Sequence, residues 1–566
     1  MSNATVLSLP NEIIDNILWN LETDALLNIC YSCKRLYILA KKHIHREITL
    51  CPLRTRSLLS FISNIESLSL NPFLFIRHLT FEPSGPTKPA CFHFGGTRRG
   101  YFHSDIGLIL GLLHHLKTLR WTHRSCLPHA ILDLSYSARP VVSGVETLII
   151  KGNPNCTTST LGVIRKDEIS FSKLRRLSWT GIRNENEIRR LATFLKDSSS
   201  TLSAFESDFD FPSFSLAVEG YTTADPFFLL EIHKDDKKCI FPVLEELSLC
   251  SFPRSFEQLL YLHAFNFSSL RRLKLQQTED TARLFGNILE ADIPIRLKEF
   301  EYGFGRKYIN IDDSGIKTSL WKFLASFEGL EKLYIAVQNS QWNICSLMQG
   351  IARHRTSLQE LAFLDDDTPV VYNNSRLFAL LLLSCSVDLK CLKILASLVL
   401  KRTSHLPEIA ASQSKLRVLH LEIPFLNRQF ASSIMQSLTL LVQNPQLRWK
   451  QRSILHNQGY YPILSLSIDR IICFVRWAFG PDGFRSLEFL TIGNLSFSSK
   501  RLETMLVFRR PKDVVVIGKE WTTVAVYPSV AAFQELSDDQ QTLERLSRYT
   551  GFWKCLSAGE AGSFCD

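Results

Sequence analysis

Leu270-Arg271-Arg272-Leu273-Lys274-Leu275 has apolar residues at its first, fourth and sixth positions. The second half alternates apolar and polar, which is the pattern of a strand with one buried face. One copy means little in a chain rich in leucine. The pattern recurs, however, as IRHLTF from Ile76, LKTLRW from Leu116, VETLII from Val145 and LRRLSW from Leu174. It returns as LEELSL from Leu244, LKEFEY from Leu297, LEKLYI from Leu330 and LQELAF from Leu358. LKCLKI from Leu389, LRVLHL from Leu416 and LEFLTI from Leu487 follow, and a weaker copy, LSAFES, begins at Leu202.

From Val145 onward the intervals are 29, 28, 42, 26, 27, 33, 28, 31, 27 and 71 residues. Most cluster near 28, which sets the thirteen copies apart from chance. The residues between copies carry helical spacing in places. Ile188, Leu191, Ala192 and Leu195 fall at i, i+3, i+4 and i+7. Period and motif resemble degenerate leucine-rich repeats, without the asparagine that usually follows the strand. The resemblance implies an α/β fold, a curved solenoid with one strand and one helix per repeat, whose units bury their faces only by stacking.

The expected solenoid spans about 60–510. Residues 82–105 are rich in Pro, Gly and aromatics and read as an inserted loop; 208–243 and 423–486 are longer insertions. Past Arg510 the motif stops, and 511–566 reads as a cap or tail.

Residues 1–50 do not follow the repeat. Pro10 suits the first turn of a helix in which Ile13, Ile14, Ile17, Leu18 and Leu21 form a stripe. Thr23 and Asp24 are the expected caps of a second helix carrying Leu26, Leu27 and Ile29. Ser32 is the expected cap of a third, with Leu36, Leu39 and Ala40 inward. So small a module depends on a neighbour or partner for stability. Leu9, Pro10, Ile13 and Ile17 form an apolar edge that it is too small to hide, and such patches mark protein interfaces.

The string L-P-x-E-I-I-x-x-I-L, then x-x-L-L, then C-K-R-L and a closing L-A, resembles an F-box over about 7–48. Leu9, Pro10, Glu12, Ile13, Ile14, Ile17, Leu18, Leu21, Leu26, Leu27, Cys33, Arg35 and Leu36 carry the match. An F-box ahead of leucine-rich repeats is similar to the F-box/LRR receptors of cullin-RING ubiquitin ligases, of which fungi have many degenerate versions. The resemblance implies docking on the Skp adaptor through Leu9, Pro10, Ile13, Ile14, Ile17, Leu21, Leu26, Leu27, Cys33 and Leu36. The repeats would then hold a protein substrate, transfer chemistry residing on other ligase subunits. The alternative is an interaction scaffold with no ligase role.

Other classes find less support. The 566 residues are 45% hydrophobic and 21% charged, which excludes long disorder. The longest apolar runs, Ile106–Leu113 and Leu377–Val387, are too short to cross a bilayer. The N-terminus lacks the features of a secretory signal, so an intracellular chain with mostly reduced cysteines and no membrane partner is expected. The net charge of +10 is mild for this length and forms no concentrated basic stripe. No phosphate loop, H-E-x-x-H or G-x-S-x-G is present, and Gly303-Phe304-Gly305 lacks the third glycine of a dinucleotide fingerprint.

Cys30-Tyr31-Ser32-Cys33 has no second cysteine pair to complete a zinc site, and core packing suits both thiols better. His43-Ile44-His45 and His114-His115 lack partners at ligand spacing. Asp365-Asp366-Asp367 reads as a solvated loop, and Gly95–Gly100 as a basic loop with some capacity for phosphate. No metal, cofactor or catalytic residue is expected.

The residues between the buried strand positions are expected on the concave face. They include Arg120, Arg176, Glu246, Arg272, Lys274, Glu299, Glu301, Lys332, Tyr334, Glu360, Lys393 and His420. Mixed signs and the lack of an aromatic ladder disfavour nucleic acid and suit a protein surface. Arg120, Arg176, Arg272, Lys274, Lys332 and Tyr334 are the candidate substrate contacts.

Overall fold

The structure is a computed structural model. It describes residues 6–50, 72–82, 106, 109–122, 144–152, 171–182, 185–209, 240–251, 265–276, 281–303, 314–337, 344–365, 389–395, 410, 413, 415–422, 468–493 and 505–509. Gly95–Gly100, Asp366, Asp367, Gly305, the C-terminal 511–566, and most of the expected insertions lie outside them. The protein is α/β, and the chain divides into two compact units, Met1–Asn266 and Phe267–Asp566.

The first unit opens with α1 (Asn11–Trp19), α2 (Thr23–Cys30) and α3 (Lys34–Ile44). Seven strands follow: β1 (Glu47–Leu50), β2 (His78–Phe81), β3 (Thr118–Trp121), β4 (Thr147–Lys151), β5 (Arg176–Ile182), β6 (Ala204–Phe209) and β7 (Glu246–Cys250). Each pairs in parallel with the next. Helix α4 (Glu185–Ser198) lies between β5 and β6, and buries Ile188, Leu191, Ala192 and Leu195, the four residues of its sequence stripe.

The second unit has β8 (Arg272–Gln276), α5 (Thr281–Glu290), β9 (Glu299–Gly303), α6 (Ser314–Ala325), β10 (Lys332–Val337), α7 (Ile344–Ala352) and β11 (Glu360–Asp365). Then come β12 (Cys391–Leu395), β13 (Val418–Glu422), α8 (Ile468–Phe479), β14 (Phe489–Gly493) and β15 (Met505–Arg509). Strands β8 to β14 pair in parallel in chain order, and β15 closes antiparallel on β14.

Every copy of the hexapeptide carries one strand, which starts at its third residue. The register keeps the fourth residues in one row: Leu79, Leu119, Leu148, Leu177, Phe205 and Leu247 in the first unit. In the second the row is Leu273, Phe300, Leu333, Leu361, Leu392, Leu419 and Leu490. All are buried. The second residue of each copy has a polar side chain, and within each unit its carbonyl accepts two N–H groups from the copy that follows. Lys117 and Thr118 donate to Arg77 O at 2.7 and 2.9 Å, and Glu331 and Lys332 donate to Lys298 O at 2.8 and 3.0 Å. This doubled bond satisfies backbone groups at the strand entry and fixes the spacing of neighbours.

Aromatic side chains fill the space behind the strands. Phe81 lies 5.0 Å from Trp121, and Phe194 of α4 lies 4.8 Å from Phe171 and 5.9 Å from Trp179, centroid to centroid. In the second unit Phe323 of α6 meets Phe285 at 4.6 Å, Phe300 at 5.4 Å and Phe327 at 5.4 Å. These contacts add to the area that the rings bury.

Four local expectations change. Ser32 does not cap α3; Cys33 does, its Sγ accepting from Leu36 N at 3.5 Å, while the Ser32 hydroxyl donates back to Ile29 O at 2.6 Å. Thr23 is already inside α2, whose N-cap is Glu22, and Pro10 is the N-cap of α1 rather than its first residue. The sheet begins at Glu47, ahead of any copy of the motif.

The fifth residue of the motif was expected to face outward. In the second unit Glu301, Tyr334, Ala362, Lys393, His420 and Thr491 are instead buried at this position. Parallel strands are commonly covered on both faces. Buried polar members of the row have partners: Lys274 and Gln276 for Glu301, Glu360 for Tyr334, and each other for His420 and Thr491.

Candidate functional site

The three N-terminal helices enclose Ile14, Leu18, Leu26 and Ala40. Leu9, Leu21, Ile29, Cys30, Leu36, Leu39 and Ile44 pack around these four. Ile14 and Leu18 use one side of α1. Ile13 and Ile17, one residue earlier in each pair, are 46% and 43% exposed. Pro10 and Leu27 are exposed as well, and Leu9, Leu21, Cys33 and Leu36 are half-buried. Of the ten expected adaptor contacts, Ile14 and Leu26 therefore belong to the module's own core. Tyr31, Tyr37 and Ile38, which the sequence reading passed over, add exposed apolar surface near the α2–α3 turn and on α3. Their spacing relative to Leu36, Leu39 and Ala40 was the available signal.

Polar contacts hold this edge in place. Arg35 of α3 donates to Asn11 Oδ1 from Nε at 3.0 Å and from Nη2 at 2.7 Å. The same guanidinium donates to the carbonyls of Leu9, at 2.8 Å, and Leu7. Asp15 of α1 pairs with Lys42 and His43 of α3, each at 2.6 Å. Burial alone would raise the Asp15 carboxyl, but hydrogen bonds and charge from Lys42 and His43 outweigh it and hold it below its ordinary value. The Arg46 guanidinium stacks 3.1 Å over the Trp19 ring, tying the end of α1 to the strand that begins at Glu47.

Cys30, Cys33, Cys250, Cys391 and Cys473 are free thiols. Burial pushes the Cys30 thiol up, and burial with Glu360 nearby pushes Cys391 higher still, which disfavours the reactive thiolate at both. Among the described residues no group of His, Cys, Asp and Glu is arranged to hold a metal ion, and no helix is long and apolar enough to cross a membrane.

The six expected substrate contacts fall into three situations. Arg272, Lys274 and Lys332 reach Glu299, Glu301 and Glu360 on the next strand at 2.8, 3.5 and 3.3 Å, and Arg176 reaches Glu246 across β6 at 3.6 Å. Tyr334 has no exposed surface and donates its hydroxyl to Glu360 Oε2 at 2.5 Å, so it offers a ligand nothing in this arrangement. Arg120 alone of the six is exposed and makes no hydrogen bond or ion pair among the described residues.

Compared with family models and with characterised proteins, the sequence matches none. The functional reading therefore rests on the residues and their placement.

Proposed function

We propose that the chain is a non-catalytic substrate receptor of a Skp-cullin-F-box E3 ubiquitin ligase. In this reading the module at about 7–48 is an F-box that docks on the Skp adaptor. The region at about 60–510 is a leucine-rich-repeat solenoid that holds a protein substrate. Tethering both partners raises their effective concentration for transfer carried out by other subunits.

The observation that carries the reading is the second apolar side of α1. Ile13 and Ile17 stand exposed beside a core that Ile14 and Leu18 already complete. A helix apolar on two sides, in a module of three short helices, has a surface to give to a partner. The strand-bearing copies of the motif, stacked in chain order within each unit, support the repeat half of the reading.

The test is a pull-down of the full chain with purified Skp adaptor, beside the Ile13→Asp/Ile17→Asp double variant. Both side chains are exposed, so the variant should melt like the parent while its carboxylates oppose burial in an interface. Binding lost in a well-folded variant supports the receptor. If the parent binds no adaptor, the ligase role is withdrawn, and an interaction scaffold is the reading that is left.

A further inference from the structure

The first unit's sheet has one face lined by leucines and aromatics and another that is polar. Register sets Glu47, His78, Thr118 and Thr147 side by side across β1 to β4, and Thr49, Thr80, Arg120 and Ile149 along the next level. Residues two apart on a strand share a face, so these eight stand on one side of the sheet, where Glu47, Thr49 and Arg120 are exposed and Thr80 and Thr118 are buried between them. Their intervening neighbours, Leu79, Leu119 and Leu148, are buried on the other.

Four of the eight carry hydroxyls, and Arg120 is the arginine among them. Neither Arg120, His78 nor any of the four threonines makes a side-chain hydrogen bond or ion pair among the described residues. Arg46, Arg77 and Lys117 stand at the entries to β1, β2 and β3. Glu146 occupies Lys117, at 3.1 Å, which leaves Glu47 as the acid facing the group. The His78 imidazole responds to this field. Burial lowers its pKa first, Arg46, Arg120 and Lys117 lower it further, and Glu47 opposes them.

The second unit provides the contrast. Lys274, at the same motif position as Arg120, is met by Glu301, and Arg272 and Lys332 on the same strand face are met by Glu299 and Glu360. A ligand there would have to displace an acid already in place. Among the described residues, no acid is paired with Arg120.

We infer that the polar face of β1 to β4 binds an acidic peptide segment, with Arg120 as the charged anchor and the hydroxyls of exposed Thr49 and half-buried Thr147 as hydrogen-bond donors. Ile149 lies beside Arg120 in the register, so a carboxylate next to an apolar side chain fits best. Adjacent strands are about 4.8 Å apart, so Thr49 and Arg120, two strands apart in the register, span roughly 10 Å, the reach of a few extended residues. Single-stranded nucleic acid is the poorer fit. It stacks on aromatic rings, and Trp121 of β3 is buried on the opposite face. The inference rests on reading the strand-bearing region as the substrate-holding part of the proposed receptor, and it names the class of substrate.

The test is fluorescence anisotropy on the full chain with a labelled peptide rich in Glu, Leu and Ser, its Gln counterpart, and oligouridylate. The Glu peptide should bind and the Gln peptide should not. Arg120→Glu should weaken Glu-peptide binding about tenfold, and Arg120→Gln by less. Arg271→Glu, an equal charge change at an exposed residue of the second unit, should leave binding within about twofold of the parent. Equal losses in Arg120→Glu and Arg271→Glu, equal binding of the Gln peptide, or no binding of the Glu peptide would each overturn the inference. Tighter binding of oligouridylate that Arg120→Glu abolishes would reassign the face to nucleic acid. The Ile13→Asp/Ile17→Asp variant should still bind the peptide, and Arg120→Glu should still bind the Skp adaptor, so the two proposals fail separately.

Discussion

Arg35 on α3 and Asn11 at the start of α1 are joined by two hydrogen bonds to one oxygen, 3.0 and 2.7 Å long. With its remaining N–H groups Arg35 also takes the carbonyls of Leu9 and Leu7. One side chain thus fixes the approach of the chain to α1, and with it the placement of Leu9 and Pro10. Arg35→Ala is expected to destabilise the module by about 1–2 kcal/mol, since the contacts are charge-assisted but exposed to water. Skp adaptor binding should fall further than that loss of stability explains, because Leu9 and Pro10 lose their fixed position. Arg35→Lys supplies one charged donor group in place of a planar fork and should recover only part of it. Urea denaturation beside quantitative pull-down separates the two effects, and a binding loss no larger than the stability loss would refute the positioning role.

Gly152 and Gly181 approach each other where β4 ends and β5 bulges. Gly152 N donates to Thr180 O at 2.6 Å, and Gly181 has φ of 75° in the left-handed region. A Cβ on Gly152 would stand 2.2 Å from the Gly181 carbonyl oxygen, which is backbone and cannot rotate away. Gly152→Ala should therefore cost about 1–3 kcal/mol through a forced shift of the strand end. Thermal melting of the full chain checks this, and an unchanged melting temperature would mean that the strands separate freely there.

Much of the architecture was legible because its period is physical. Leu273, Leu333 and Leu419 recur where a strand must bury one side chain in every stacked unit, so the motif locates their strands without further information. Strand β1, Glu47–Leu50, lacks the leading apolar-x-x step and lies in the 1–50 stretch that does not follow the repeat. Strand β15 pairs antiparallel and follows no repeat, so periodicity is silent about it. At the candidate site, exposure of Pro10, Ile13 and Ile17 followed from a module with too little core to cover them. The burial of Tyr334 and the pairing of Arg272 with Glu299 did not follow, since a single strand's sequence does not tell what faces it across the sheet. Arg120 and Lys274 both stand at the fifth position of the motif, and only the neighbouring strand distinguishes them, with Ile149 beside the first and Glu301 beside the second.

Phe323 of α6 touches Phe285, Phe300 and Phe327. It joins two helices, a strand and the turn before the next copy in one buried cluster. Phe323→Ala removes a ring that has no exposed surface and leaves a cavity lined by rings too large to close it, for a loss of about 3–5 kcal/mol. Phe323→Leu keeps much of the volume and should cost less than half of that. Denaturant unfolding of the second unit's signal is the measurement, and similar losses for the two variants would contradict a packing origin.

His354 gives the second unit a dependence on pH. It follows α7 with no exposed surface, its Nδ1 accepting from Leu330 N at 3.4 Å and its ring 4.9 Å from Phe327. Burial first, then the charge of Arg353, lowers its pKa from 6.5 to about 4, with the Leu324 carbonyl offsetting part of the shift. The folded chain therefore holds this proton less tightly than the unfolded chain. Stability from His354 is complete above the unfolded value near 6.5 and is lost as pH falls from there toward about 4. That interval of roughly 2.5 pH units corresponds to a loss of about 3 kcal/mol. Other groups titrate in the same range, so the decisive comparison is with His354→Gln, which keeps an acceptor for Leu330 N but cannot take up the proton. The difference in unfolding free energy between parent and variant should shrink in the variant's favour between neutral pH and pH 4. Parallel pH profiles for the two proteins would show that His354 does not carry the effect.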